Sequence, residues 1–140
     1  MVLSEPDPGD IDRLAKQWLI ADGYVQEQCD GAHLQQTEED LPLLQRVIDS
    51  NVIDVTQTFE LQCLGVAFGR VLASNIEGLD WAIVDDEYGR DPTLRYRHTS
   101  LQLNVLTMIS KRVEQGQRVD IRDMYRGLCD RVSELKNKAD

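Results

Sequence analysis

Between Asp54 and Val84 the chain changes its hydrophobic period almost without a break, and that change constrains the fold more than any other feature. Leu61, Leu64, Phe68, Leu72 and Ile76 recur at helical spacing, and Cys63, Ala67 and Val71 form an adjacent stripe. A helix apolar around most of its circumference has to be central and buried. Asp54 is suited to cap it, with Gln57 reaching back from the third position. Gly65, Gly69 and Ala73 repeat every four residues along one line of this helix. Such a line lets a neighbouring backbone come close, although each glycine costs about 1 kcal/mol of helix propensity relative to alanine. From Leu79 the period drops to two: Leu79, Trp81 and Ile83 alternate with Asp80, Ala82 and Val84, as in a strand with one buried face. A buried helix running into a half-buried strand predicts an α+β fold.

The flanking segments fit that frame. Residues 1–9, with Pro6 and Pro8, read as a mobile leader. A first helix is expected from Asp10, on the stripe Ile11, Leu14, Ala15, Trp18 and Leu19, ending at Gly23 or running to Cys29. Asp30-Gly31 is a turn signal, and Thr37 can cap a second helix built on Leu41, Leu44 and Ile48. Its first turn, Glu38-Glu39-Asp40, carries the charge that the helix dipole prefers. Asp85 to Pro92 reads as a polar loop, Thr93 to His98 as a second strand, and Ser100 to Leu103 as a short third one. Leu106, Ile109 and Val113 return to helical spacing before a stop at Gly116. Asp120 can cap a last helix with Ile121, Met124, Tyr125, Leu128, Val132 and Leu135 on one face. The expected order is three helices, a small antiparallel sheet and two helices, in one domain of 140 residues.

Charge narrows the partners. The net charge is -10, and residues 1 to 60 hold 13 acids against Arg13, Lys16 and Arg46, whereas the remaining residues hold 12 of each sign. Such a field disfavours nucleic acid and anionic membrane and favours a basic protein surface. The three cysteines, Cys29, Cys63 and Cys129, lie apart in helical stretches without a CxxC pair, so reduced core thiols are expected and not a disulfide or zinc framework. The N-terminal residues lack the basic-then-apolar pattern of a secretory signal, and no apolar run approaches 18 residues. A cytoplasmic location is the expectation.

Three stretches, LGVAFGRVLA from Leu64, GLDWAIVDDEYGRD from Gly78 and MISKRVEQG from Met108, occur in the order glycine-rich helix, tryptophan strand, acidic turn and Lys-Arg helix. In this order the chain resembles an uncharacterised bacterial family, domain of unknown function 3806, over roughly residues 60 to 125. The resemblance implies no reaction and carries no catalytic residues across.

The most conspicuous polar cluster is Asp85-Asp86-Glu87-Tyr88-Gly89-Arg90-Asp91. Neighbouring carboxylates can bind a hard cation or act as acid and base. As a calcium loop beginning at Asp85 it fails, because Arg90 stands where glycine is needed and Tyr96 where a bidentate glutamate is needed. Contact with a partner is the better functional reading, beside that of a polar connection between strands. Arg95 and Arg97, with Lys111 and Arg112 on the next helix, could form an anion site, but neutralising Asp80, Asp85 and Asp86 across the hairpin explains them more simply. His33 and His98 belong to no catalytic or metal motif. Trp18 and Trp81 fall at core-facing phases.

These observations point to a non-catalytic acidic binding domain without cofactor or metal, of the kind that inhibits a basic toxin or effector as an immunity protein does. Its expected partner surface comprises Glu38, Glu39, Asp40, Asp85, Asp86, Glu87, Tyr88 and Asp91. Two alternatives remain: a small-molecule or enzymatic site beside the Trp81 hairpin, and an accessory interaction subunit.

Overall fold

A computed structural model describes residues 2–139. The elements are β1 (Val2–Ser4), α1 (Pro8–Gln28), α2 (Asp40–Asp49), α3 (Thr58–Asn75), β2 (Leu79–Asp86), β3 (Gly89–Tyr96), β4 (Gln102–Leu103), α4 (Val105–Glu114) and α5 (Ile121–Ala139). The strands form one antiparallel sheet in the order β1-β2-β3-β4. The α+β class and the five helices agree with the sequence reading.

Helix α3 is the hub on which α1, α2, α4 and β2 pack. Leu61, the run Cys63 to Gly69, Val71 and Leu72 are all buried. Its small residues work as their spacing requires. A Cβ on Gly65 would lie 2.6 Å from the Val105 carbonyl oxygen and 2.7 Å from that of Leu106, so the first turn of α4 lies directly on the α3 backbone. A Cβ on Gly69 would meet the Trp81 ring and the Val105 side chain, each at 2.7 Å. Trp81, half-buried, thus uses the second glycine as its seat.

The N-terminal residues depart most from expectation. The leader expected over residues 1–9, of which Met1 lies outside the described residues, is replaced by strand β1, with Val2 opposite Asp85 and Ser4 opposite Ile83. Three residues are too few to show a period, and only the free edge of β2 makes them a strand. Helix α1 begins at Pro8, two residues before the expected start. Asp7 caps it: the Asp10 N–H donates to Asp7 Oδ1 at 2.8 Å, and the Asp7 N–H donates to Asp10 Oδ2 at 2.9 Å. Proline in the first turn is compatible, since that turn needs no donor.

Other boundaries move by about a turn. Gln57 Oε1 accepts from the Asp54 N–H at 2.8 Å as expected, but Asp54 turns its carboxylate to Thr56, so the helix opens only at Thr58. Thr37 does not cap α2, whose N-cap position is Glu39 without a side-chain bond. Asp120 does cap α5, accepting from the Asp123 N–H at 3.0 Å. The expected polar loop from Asp85 to Pro92 is mostly strand, closed by the two-residue turn Glu87-Tyr88 with Gly89 at φ +121°. These strand ends project past the core, so no apolar alternation marks them. Pro92 is accommodated where the short β4, opposite only Leu94 and Arg95, no longer flanks β3.

Three acids from the charged first part lie inside the protein. Asp22 accepts from the Leu34 N–H at 2.7 Å, from Gln26 Nε2 at 3.0 Å and faces His33 Nδ1 at 3.0 Å, fixing the turn after α1. Asp40 accepts from the backbone N–H groups of Gln35 and Gln36, at 2.9 and 2.7 Å, and holds the entry to α2. Asp10 serves the cap of α1 and a network described below. Burial opposes ionisation of Asp22, but the hydrogen bonds from His33, Leu34 and Gln26 together hold its carboxyl below the ordinary value of 3.8. At Asp40 burial prevails over the backbone donors and raises the carboxyl.

Two experiments probe this arrangement. Gly65→Ala should destabilise the protein by about 1 to 3 kcal/mol despite the gain in helix propensity, because the clash is with backbone. Gly127→Ala in α5, where a Cβ meets nothing within 4 Å, should stabilise by about 0.5 to 1 kcal/mol. Urea unfolding midpoints compare the two directly, and equal effects would remove the close approach as the reason for Gly65. In the second experiment, stability is followed against pH. Because the folded Asp22 pKa is lowered, its contribution is present above 3.8 and is lost as pH falls through the folded value. Because that of Asp40 is raised, its contribution has the opposite sign and is lost as pH rises through the folded value. Asp22→Asn should therefore flatten the acid-side loss of stability and Asp40→Asn should steepen it, read from unfolding midpoints at successive pH values.

Candidate functional site

Strand alternation divides the hairpin acids between two faces. Asp85 stands opposite Arg90, on the face that also carries Leu79, Trp81 and Ile83, whereas Val84 stands opposite Asp91 and Asp86 opposite Gly89 on the other. Arg90 gathers the first group. Its Nη2 lies 2.7 Å from Asp10 Oδ2 and 3.6 Å from Asp7 Oδ2, and its Nη1 lies 3.3 Å from Asp85 Oδ2. Arg13 also pairs with Asp10. The bond that Arg90 donates to Asp10 raises the Arg90 pKa, and Asp10 is lowered first by the backbone bond at the cap and further by Arg90. Asp85 is therefore occupied in tying the hairpin to α1.

Asp86 and Asp91, on the other face, line a groove of about 360 Å³ together with Tyr88, Gln102, Asn104 and Lys111. Tyr88 is 86% exposed at the turn, and its N–H donates to Asp86 Oδ1 at 2.9 Å. Glu87 is exposed beside it. Neither Asp86 nor Asp91 has a salt-bridge partner among the described residues.

The acidic turn of α2 does not form a comparable surface. Asp40, expected there as a partner residue, is only 1% exposed, because its carboxylate is consumed by backbone donors. Glu38 Oε1 accepts from the Tyr125 hydroxyl at 2.9 Å, and burial followed by this bond pushes the Tyr125 pKa up. Glu39 is exposed. The structure brings neither Glu38 nor Glu39 into the hairpin groove.

The basic residues also separate. Arg95 is in register with Asp80, but its guanidinium donates to the Thr99 and His98 carbonyls at 2.9 and 3.1 Å. Arg97 lies over the Tyr96 ring, 5.4 Å from its centroid, and Arg112 donates to the Met108 carbonyl. These residues form no common anion site. Cys29 and Cys63 are buried and Cys129 is half-buried, all three as free thiols. Burial raises each of them, Cys63 to about 11, which works against a nucleophilic role.

A second cleft was not legible in the sequence. Arg70, at a polar position of α3, lines a pocket of about 260 Å³ with Ile11, Leu14, Gln36, Ala73 and Trp81. Its guanidinium lies over the Trp18 ring, 5.5 Å from the centroid. Only the occurrence of one arginine inside an otherwise apolar helix could have pointed to it.

Comparison with known proteins adds a fold and a family. No curated protein matches the chain. A crystal structure from Bacteroides thetaiotaomicron VPI-5482, at 1.50 Å resolution, is similar to it with a TM-score of 0.85 and 23% sequence identity. The similarity covers 93% of this chain and 47% of that one, so the chain spans about half the length of the protein it matches, and at this identity the likeness is one of fold. The family model described as "Domain of unknown function (DUF3806)" matches residues 40–125, from the start of α2 to the first turns of α5. That is more than half of the 140 residues, and the chain belongs to this family.

Proposed function

We propose that this is a non-catalytic binding domain that engages a basic protein surface through the open face of its β2-β3 hairpin, in the manner of an immunity-type inhibitor of a basic toxin or effector. The observation that carries the reading is the groove lined by Asp86, Asp91 and the exposed Tyr88, in which neither carboxylate has a salt bridge among the described residues, Lys111 included. A lysine or arginine side chain from a partner fits such a groove: two carboxylates accept its donors, and an aromatic ring beside them supplies apolar area or a face for the cation. Glu87 extends the same negative surface. Exposed Tyr is favoured as an anchor because it buries much area for little lost rotamer freedom. The net charge of -10 acts at longer range, drawing a cationic partner in before contact. Glu38, Glu39 and Asp85 act on a partner through that field and not by contact, and Asp40 is removed from the binding surface by its burial. Three free thiols suit a reducing compartment, which supports a cytoplasmic site of action.

The test begins with affinity capture from the native cell, followed by kinetics with the captured partner. Association should slow steeply as ionic strength rises past the point where the screening length is about 10 Å, while dissociation changes less. Asp86→Asn with Asp91→Asn should lower the association rate, and Tyr88→Ala should accelerate dissociation by an amount equivalent to about 2 kcal/mol. All three side chains are exposed, so folding stability should shift by no more than about 0.5 kcal/mol. A partner whose association is insensitive to salt and to these substitutions would refute the reading.

A further inference from the structure

We infer that the cleft between α1, α3 and β2 is a binding site for a small organic monocarboxylate, with Arg70 taking the carboxylate and Trp81, Ile11 and Leu14 enclosing its apolar body. The cleft holds a cation without a counter-ion among the described residues. Arg70 projects from α3, half-buried, and among the described residues it forms no hydrogen bond and no salt bridge. Its Nε is fully buried without an acceptor, and the Nε1 of Trp18, over which the guanidinium lies, is likewise buried and unpaired. Burial lowers the Arg70 pKa, and no neighbouring carboxylate offsets the effect. Shortage of acids does not explain this, because the chain holds 25 Asp and Glu against 15 Lys and Arg. Buried donors in folded proteins are nearly always satisfied, and an exception asks for a missing acceptor.

The pocket specifies the acceptor. A guanidinium presents a planar fork of N–H groups that matches a carboxylate in two parallel hydrogen bonds. Ile11, Leu14, Ala73 and Trp81 give the rest of the pocket apolar walls, which calls for a hydrocarbon or aromatic body. Its volume of about 260 Å³ lies below the range typical of drug-sized ligands, about 300 to 1,000 Å³, and selects a small one. The net charge of -10 works against an anion, and more strongly against a multiply charged one, so a single carboxylate is favoured over a nucleotide or phosphate. Gln36 completes the pocket from the loop before α2. It is held at φ +63°, an unusual conformation for a residue other than glycine, by the bond from its N–H to the buried Asp40. The carboxylate of Asp40 thereby sets one wall of a site meant for a different carboxylate.

Of the two tryptophans of the chain, Trp81 lines the cleft and Trp18 lies beneath the Arg70 guanidinium, so the indole N–H resonances and fluorescence report on the cleft through its wall and through Arg70. The probes are phenylacetate and hexanoate, with phenylacetamide and hexanamide as neutral counterparts. Both acids should shift the Trp81 indole resonance, and through Arg70 that of Trp18, saturably at concentrations up to about 10 mM, and the amides should bind at least about tenfold more weakly. Arg70→Gln should lower acid binding by about tenfold or more, and Arg70→Lys should restore part of it. Ile11→Glu, at an exposed rim position, places a competing carboxylate opposite the unaltered Arg70 and should also abolish acid binding, which protects the test against a folding defect in the arginine variants. The inference is overturned if neither acid shifts either indole resonance over this range, if acids and amides bind alike, or if folded Arg70→Gln binds the acids as the parent does. None of these outcomes bears on the hairpin groove, whose partner is cationic.

Discussion

The architecture depends on how closely α4 and Trp81 can approach α3. At Gly65 the helix surface is bare backbone, and the carbonyls of Val105 and Leu106 lie where a methyl group would otherwise be. One turn later Gly69 receives the Trp81 ring and the Val105 side chain together. Two glycines in a helix interior cost about 1 kcal/mol each in propensity, a loss that only tertiary packing can offset. Packing does so here because α3 also buries more of the large fully enclosed side chains than any other single element, namely Leu64, Val66, Phe68 and Leu72. Once α4 and β2 are seated on one helix, the sheet follows: β3 returns beside β2, β4 leads directly into α4, and β1 takes the free edge of β2.

The charge of the first 60 residues has two roles. Asp10, Asp22 and Asp40 are buried, and each ties together backbone that would otherwise be left with unpaired donors. Their charges belong to loop and cap structure, which accords with the rule that a buried carboxylate is retained only when its oxygens are satisfied. Most of the remaining acids are exposed and supply the field. The hairpin repeats the division on a smaller scale. Asp85 is bound to Arg90 and so to α1, while Asp86 and Asp91, on the other side of the pleat, face a groove.

The sequence disclosed elements wherever burial imposes a period. Helix α3, the Leu79–Val84 strand and the apolar face of α5 are of this kind, and so is the cap at Asp120, which depends on residues close in sequence. Strand β1 and the outer ends of the hairpin were illegible for a common reason: they are fixed by backbone pairing with a neighbour and bury little of their own. The burial of Asp40 was hidden because an acid at a helix start reads equally well as a solvated charge favourable to the dipole. Within α1 the stripe was partly misleading. Leu14 is buried and Trp18 half-buried, but Ile11 is 56% and Leu19 60% exposed, since α1 meets α3 along a narrower line than its apolar residues would cover. Of the candidate site, Asp86, Tyr88 and Asp91 were recognisable from composition alone, whereas Arg70 becomes visible only when its lack of partners can be seen.

Among the half-buried arginines of the described residues, that lack of partners separates Arg70 from Arg95 and Arg112. Arg90 and Arg13 are tied to carboxylates, Arg95 and Arg112 to carbonyl oxygens. Arg70 is more deeply placed than Arg90, yet it has only the face of Trp18 to balance its desolvation. Cation–aromatic contact contributes about 0.5 to 2 kcal/mol, while leaving a polar donor buried and unpaired costs about 1 to 3 kcal/mol. A Leu or Met at this position would pack against Trp18, Ala73 and Trp81 without that cost, so stability does not account for the arginine. An acceptor that comes from outside the chain does account for it, and it would convert a half-buried, unpaired guanidinium into a bidentate pair.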